Sequence, residues 1–537
     1  MGSRRALDQS RAPLLEALIK VAAADRWPFH TPGHKRGRGL DPLLAQVLGG
    51  DGGAGGTGGN VDGERGAAGA AAYDLTELTG LDELSHPQSV IAEAQALAAE
   101  AFGAARSFFS VNGSSAGVAA MIAASAGPGD AVILPRNAHR SVVLGLVASG
   151  ALPVFITPPL VPDLGVPGPI GWDEIERALD EKSASGRVAA VFVVSPTYEG
   201  RVADVAGIAA CLAALPAPRR PLLLVDEAHG PHFGFGGGRG AGGGESPFPT
   251  PALAGGADAA VHSLHKVAGS LTQSAILHVG RGAPPAFAPE RWLTLFQTSS
   301  PSYLLMASLD AARRQLVTEG PAKLVRVAAL AAHVRRELSR IPGLFVAESG
   351  GGDPTRLCLR VLGSPDEAES AATAATTATA RAATAPAAPS PAARFAAALE
   401  AAGVYPELVE GDLLVLILTM ADDTASARAL IDACHQAAAA TGLKPTTFMP
   451  FTARTPFETH VPRLAIPPRQ AFAAPKEKLS LNAALGRVSA QTVSPSPPGT
   501  LLLIPGEVVD GTVLENALAA ARQGLPIPME IEVVCQP

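Results

Sequence analysis

Residues 259–270 read AAVHSLHKVAGS. The run AAVHS is short, apolar and bounded by turn residues, which predicts a buried strand. Lys266 stands just past its carboxyl end, followed by the small residues Val267, Ala268, Gly269 and Ser270. In open α/β sheets, ligands gather beyond the carboxyl ends of the strands. A lysine held there is partly desolvated, so its pKa falls and its amine can attack a carbonyl to form an imine. Taken alone, SLHK is equally compatible with a surface lysine after a strand. Working outward, six further apolar runs recur: SFFSVN (107–112), AVILP (131–135), LPVFIT (152–157), VAAVFVVS (188–195), PLLLVDE (221–227) and AILHV (275–279). Continuous apolar strands separated by helical or loop segments predict a largely parallel, doubly wound α/β sheet.

The ends of the other strands carry matching chemistry. VDEAHG (225–230) puts Asp226 where a carboxylate would keep a heteroaromatic ring nitrogen protonated, with His229 beside it to pack on the ring or orient a substrate. DEAH also occurs in helicases, but the GxxxxGK[ST] loop that reading requires is missing from the sequence. NGSSAG (112–117) lies between a strand and a helix, and the helix N-terminus with Ser114 and Ser115 would cradle a phosphate. Ser263 and His265 could add donors to it. His139, in RNAHRS (136–141), could stack on a ring. Thr197, in SPTYEG (195–200), could bond a ring hydroxyl. Each has a plain counterpart: an N-cap, a loop histidine, a β-turn. Together on one sheet edge they point to pyridoxal 5′-phosphate, with Lys266 carrying it.

Composition sets the outer bounds. The 537 residues are 47% hydrophobic, 17% charged and only 4% aromatic, which allows a large aliphatic core and about three domains. Net charge is −7 without a dense basic run, which argues against nucleic acid or an anionic membrane and favours a small-molecule substrate. Cys211, Cys358, Cys434 and Cys535 lack paired spacing, so a reducing compartment and no metal site are expected. There is no run of about 18 apolar residues for a spanning helix, nor a secretory signal core at the start. A cytoplasmic setting is expected, with an organelle stroma or matrix as the alternative. Three stretches read as insertions: Gly-rich residues 49–69, GFGGGRGAGGGE (234–245) and the Ala/Thr/Pro tract 367–393. DLLVLILTM (412–420) and TLLLIPGEVV (500–509) are predicted strands. SARALIDACHQAAAA (426–440) and KEKLSLNAALGRV (476–488) are predicted helices.

These residues also carry a resemblance. FHTPGHKRG, TELTGLDEL, AFGAARSFFSVNGSSAG, GPGDAVILPRNAHRSV, SPTYEG, VDEAHG, SLHKVAGSLTQSAIL, QTSSPSYLLMASLD and, near the end, PPGTLLLIPGE are similar to the Orn/Lys/Arg decarboxylase family. The likeness is to its shorter form, without an N-terminal wing domain. It implies an aspartate-aminotransferase-like large domain, a small α/β domain and a C-terminal α+β domain. The corresponding division is an N-terminal segment at 1–79, a cofactor-binding large domain at 80–310, a small domain at 311–446 and a C-terminal domain at 447–537.

For the site, the resemblance implies Lys266 as the Schiff-base lysine, Asp226 at the ring nitrogen and His139 on the ring face. Ser114, Ser115, Ser263 and His265 would surround the phosphate. Thr298 or Ser299 would reach the phosphate of a neighbouring subunit, so a homodimer or larger assembly is implied. The implied reaction is decarboxylation of arginine, lysine or ornithine to a di- or polyamine precursor, with Lys266 or His265 returning a proton to Cα. An acidic partner for the cationic side chain is expected from Glu507 or the acids of TELTGLDE, with His30 as a further substrate contact. The rivals are an aminotransferase, with Arg356 or Arg360 clamping the α-carboxylate, a carbon–carbon lyase, and a silent regulatory homologue.

Overall fold

Seven strands assemble where the apolar runs predict them. In chain order they are β1 (Arg106–Ser110), β2 (Ala131–Pro135), β3 (Leu152–Ile156), β6 (Val188–Val194), β7 (Leu222–Asp226), β8 (Ala259–His262) and β9 (Ala275–Val279). The hairpin β4 (Leu160–Val161) and β5 (Val166–Pro167) hangs off β3. The computed structural model describes residues 6–24, 27–49, 69–182, 186–237, 246–362, 389–451, 460–495, 501–522 and 525–535. Most of the three expected insertions (50–68, 238–245 and 363–388) lies outside these residues. The last residues of the Ala/Thr/Pro tract instead begin a helix, Pro391–Ala401, whose Ser390 side chain caps it.

The sheet order is β1-β9-β8-β7-β6-β2-β3. β3, β2, β6, β7 and β8 run parallel, while β9 is antiparallel to both β8 and β1. The reason lies in the connection. A parallel return needs a full crossover, usually a helix of several turns. Between β8 and β9 the chain makes only the one-turn helix Leu264–Val267, so it comes back reversed. That short return carries Lys266.

Alternate residues of the central strands feed two cores. Val132, Leu134, Ala190, Phe192, Leu224 and Val261 pack under helices Gly113–Ser125 and Ser141–Ser149. Ile133, Val191, Val193, Leu223, Val225 and Ala260 pack against helices Trp172–Lys182 and Val205–Ala214. Burial on both faces is why the runs read as continuously apolar rather than alternating. Gly117 marks a close helix–sheet approach, because a Cβ there would come within 2.7 Å of Val261 Cγ2.

The smaller sheet runs β10 (Leu344–Val346), β11 (Arg356–Val361), β13 (Leu413–Ile417), β12 (Leu408–Glu410), all antiparallel. It is thus layered α+β rather than the expected α/β, with helices Pro391–Ala401 and Thr424–Thr441 contributing to its core. Residue 310 falls inside helix Tyr303–Thr318, whose buried face belongs to the same apolar cluster as Leu357, Leu414 and Phe395.

The third region has its own core, including Leu481, Leu503, Val513 and Ile531. Two expectations change there. KEKLS is the exposed strand β14 (Lys476–Ser480), paired with β15 (Glu530–Val534), and turns follow it. The backbone hydrogen bonds that β15 supplies override the helical propensity of Lys and Glu. TLLLIPGEVV makes only isolated bridges, such as Val493 to Leu503, although Leu501–Ile504 are buried.

Candidate active site

The carboxyl ends of the parallel strands open onto one cavity of about 510 Å³. Its walls include Asn112, Ser114 and Ser115 from the β1–helix turn, and His139 after β2. Pro196, Thr197 and Glu199 line it after β6, Asp226 and His229 at β7, and His265 and Lys266 after β8. The topology therefore brings the five predicted strand-end sites together. Thr272, Gln273 and Glu410 also line it.

Burial and hydrogen bonding set the character of each group. Burial is the largest influence on Lys266 and lowers its pKa. Arg356 lowers it further, and the charges of Asp226 and Glu407 oppose the shift. The Lys266 Nζ lies 2.9 Å from His229 Nε2, and the Arg356 Nη2 lies 2.7 Å from His229 Nδ1. Burial, then the charges of Lys266 and Arg356, push His229 well below the usual histidine range. His139 is also lowered, chiefly by burial, and accepts a hydrogen bond at Nδ1 from the Ser141 backbone N–H at 3.3 Å. His265 donates its Nδ1–H to the Ser274 carbonyl at 2.9 Å, which leaves Nε2 for a ligand. Burial raises the pKa of Glu199, and the Thr197 hydroxyl, Arg356 and Arg201 work against that rise.

Other predicted residues lie elsewhere. Ser263 is fully buried behind the cavity, and its Oγ lacks a hydrogen-bond partner among the described residues. Thr298 and Ser299 line a separate space of about 20 Å³ with Glu77 and Glu83. His30 turns its Nδ1 to the Thr31 carbonyl and is not on the cavity wall. Glu507 is buried in a doubly bonded pair with Arg136, at 2.6 and 2.9 Å, and accepts from the Ile504 N–H. That geometry gives it a partner inside the protein rather than a substrate. Asp82 accepts backbone N–H groups of Gln88, Ser89 and Ile91, so it organises the start of helix Val90–Ala101. Arg360 pairs with Asp412, while Arg356 stands behind His229.

Four lining residues, Glu199, Glu410, Thr272 and Gln273, are not singled out by the sequence. Glu199 sat inside the quoted SPTYEG motif and could have been marked by its place at a strand end. Thr272-Gln273, on the reversed β8–β9 return, likewise lies inside the quoted SLHKVAGSLTQSAIL stretch, whereas Glu410 comes from β12 of the smaller sheet and carries no local signal. The third region also reaches the His139 segment. Arg469 donates to the carbonyls of Val147 and Ala148 at the end of helix Ser141–Ser149.

Comparison with known proteins gives this geometry its family. The model of the Orn/Lys/Arg decarboxylase major domain matches residues 12–349, and that of the family's C-terminal domain matches residues 452–526. The chain belongs to the Orn/Lys/Arg decarboxylase family. It is 33% identical to the arginine decarboxylase of Bacillus subtilis over 97% of this chain and 96% of that protein. It is 32% identical to the arginine decarboxylase of Bacillus anthracis over 97% and 95%. The constitutive lysine decarboxylase of Escherichia coli superposes with a TM-score of 0.70 at 19% identity, covering 98% of this chain and 82% of that one, a likeness of fold.

This decarboxylase is therefore a pyridoxal phosphate-dependent enzyme acting on a basic amino acid. The residues present suit the cofactor. The helix Gly113–Ser125 starts on the cavity wall with no side chain capping it, so its free N–H groups can take an anion. The unpartnered Ser263 Oγ lies behind the same edge. No helix of the described residues is long and apolar enough to cross a membrane.

Proposed function

We propose that this decarboxylase acts on arginine. The end-to-end match with two arginine decarboxylases carries this reading. The cavity agrees with it, since Glu199 and Glu410 put two carboxylates on walls that also hold Lys266. A guanidinium presents several fixed N–H donors and suits more than one carboxylate oxygen. An occupied cation subsite would also favour the charged form of Glu199 against the burial that raises its pKa.

In this reading Lys266 holds the cofactor, Asp226 pairs with the ring nitrogen, and His139 covers the ring. Ser114, Ser115 and the helix N-terminus take the phosphate, with Ser263 and His265 beside it. When bound, pyridoxal phosphate supplies the electron sink for the pair left behind as carbon dioxide departs. The chain's own residues handle the rest. Asp226 supplies the negative charge that favours a protonated ring nitrogen. Neutral His139 presents a flat ring without adding charge. Each carbon dioxide lost must be replaced by a proton on Cα, and Lys266 Nζ is placed to deliver it; His265 could do so from Nε2 only as an imidazolium, against the burial that lowers its pKa. Thr197 bonds the ring hydroxyl, and Glu199 stands beside it on the cavity wall.

A product assay tests the substrate: carbon dioxide and amine measured against arginine, lysine and ornithine. Arginine should lead in kcat/KM by roughly tenfold or more, the scale on which pockets separate side chains of different length. Equal or faster turnover of lysine or ornithine would end this reading.

The same reading includes a homo-oligomer. Trp27, Phe29, Leu43 and Val47 expose large apolar surfaces in the N-terminal segment, at 69%, 93%, 72% and 80%. A second copy covering them could also bring Thr298 toward a neighbouring site. Sedimentation as a monomer at assay concentration would remove this part of the proposal.

A further inference from the structure

His229 sits between two groups that both normally donate hydrogen bonds. Arg356 Nη2 is 2.7 Å from its Nδ1, and Lys266 Nζ is 2.9 Å from its Nε2. An arginine has donors only and keeps its charge in proteins. Nδ1 must therefore accept, and a neutral imidazole then carries its single proton on Nε2. That proton points at Lys266, so the lysine must receive it through a lone pair. An ammonium has no lone pair to offer. The arrangement is satisfied only when the Lys266 amine is neutral.

Arg356 is held in place for this role. It is 1% exposed at its side chain, and Asp353 lies 3.7 Å from its Nε. Gly200 backs it, with φ +87° and no room for a side chain, since a Cβ would lie 2.6 Å from Arg356 Cγ. Around the lysine, Asp226 and Glu407 favour the ammonium and Arg356 opposes it. His139 and His265 bring no fixed negative charge.

We infer that Arg356 fixes the tautomer of His229, so that its Nε2–H donates to the Lys266 amine and holds it as the free nucleophile. This rests on the assignment of Lys266 as the imine-forming lysine. Arg356 is on this account a positioning residue, acting through His229 before any substrate arrives. Imine formation joins the neutral amine to the cofactor aldehyde with loss of one water. It needs no oxidant or reductant.

The test uses apoprotein, pyridoxal phosphate and no substrate, and follows imine absorbance with time and pH. Arg356→Met should form the imine about tenfold or more slowly at neutral pH, with its pH midpoint moved upward. Arg356→Lys, which keeps a charged donor, should recover most of the rate. Nitrogen-15 histidine spectra of the unsubstituted apoprotein, assigned by difference with His229→Gln, should show Nδ1 bare and Nε2 protonated. The opposite tautomer overturns the inference even where the variants misfold. So does an unchanged imine rate in Arg356→Met accompanied only by a raised substrate KM, because Arg356 would then serve the substrate. If the unsubstituted protein forms no imine, the Lys266 assignment fails instead.

Discussion

Arg136 and Glu507, 371 residues apart in the chain, meet in a doubly hydrogen-bonded ion pair that is 1% exposed on both sides. Arg136 Nη2 also donates to the Leu502 carbonyl, and its guanidinium lies 4.6 Å from the centre of the Phe155 ring. Removing one member of such a pair leaves a buried charge without its partner. Arg136 is three residues before His139, so the third region supports the loop that presents that ring.

Glu507→Ala should therefore destabilise the fold by about 3–5 kcal/mol. It should also weaken cofactor retention while leaving the KM for arginine nearly unchanged. Thermal unfolding and absorbance during dialysis measure the two effects. A normal melt with a raised KM would instead make Glu507 a substrate group.

Lys266→Ala should abolish imine absorbance and lower turnover on the order of a thousandfold or more. Spectra and carbon dioxide release read both quantities in one preparation. Retention of both would remove Lys266 from the chemistry.

Glu199 has a pKa raised by burial, and a bound cation favours its charged form. Affinity for arginine is then present above that raised pKa and is lost as pH falls through it. Glu199→Gln should raise KM by about tenfold or more, the scale of a lost charged hydrogen bond. It should also flatten the acid side of the KM profile. An acid limb that survives the substitution assigns the titration to another group, with Glu410 next to test.

Asp353 bears on stability. Burial alone would raise its pKa, but the charge and hydrogen bond of His232, then Arg356, hold it at about 2 against an ordinary 3.8. A depressed carboxylate contributes stability above its unfolded pKa and loses that contribution as pH falls through the folded one. The contribution is ~2 kcal/mol, at about 1.4 kcal/mol per pKa unit. It should be complete above pH 4 and disappear toward pH 2. Asp353→Asn should unfold more readily at neutral pH and show a shallower acid transition. Identical acid transitions for the two proteins would contradict this.

The strand-end chemistry was legible because each signal is local. A short apolar run and the polar residues just after it lie within a dozen positions, and parallel topology then brings the ends together. The meeting of Asp226, His139, Ser114 and Lys266 on one cavity wall is legible on that basis. Glu410 is not, because it reaches the cavity from an antiparallel sheet whose docking no local pattern encodes. The internal pairing of Glu507 with Arg136 is illegible for a related reason. A lone acid beside Pro and Gly looks available, and only tertiary structure shows that Arg136 already occupies it. KEKLS read as helix because the partner strand that claims its backbone lies some fifty residues later.

The hold of the third region on the His139 segment has a consequence during synthesis. A nascent chain that has emerged as far as β13 already carries every cavity-lining residue. At about 5–20 residues per second, the ribosome needs roughly 5–18 seconds more to travel from the end of β13 to Glu507. Until then Arg136 lacks its counter-ion, and the carbonyls of Val147 and Ala148 await Arg469. The site can take its final form only once Arg469 and Glu507 have been made, so a chain terminated between β13 and those residues would hold every cavity-lining residue without the contacts that fix the His139 segment.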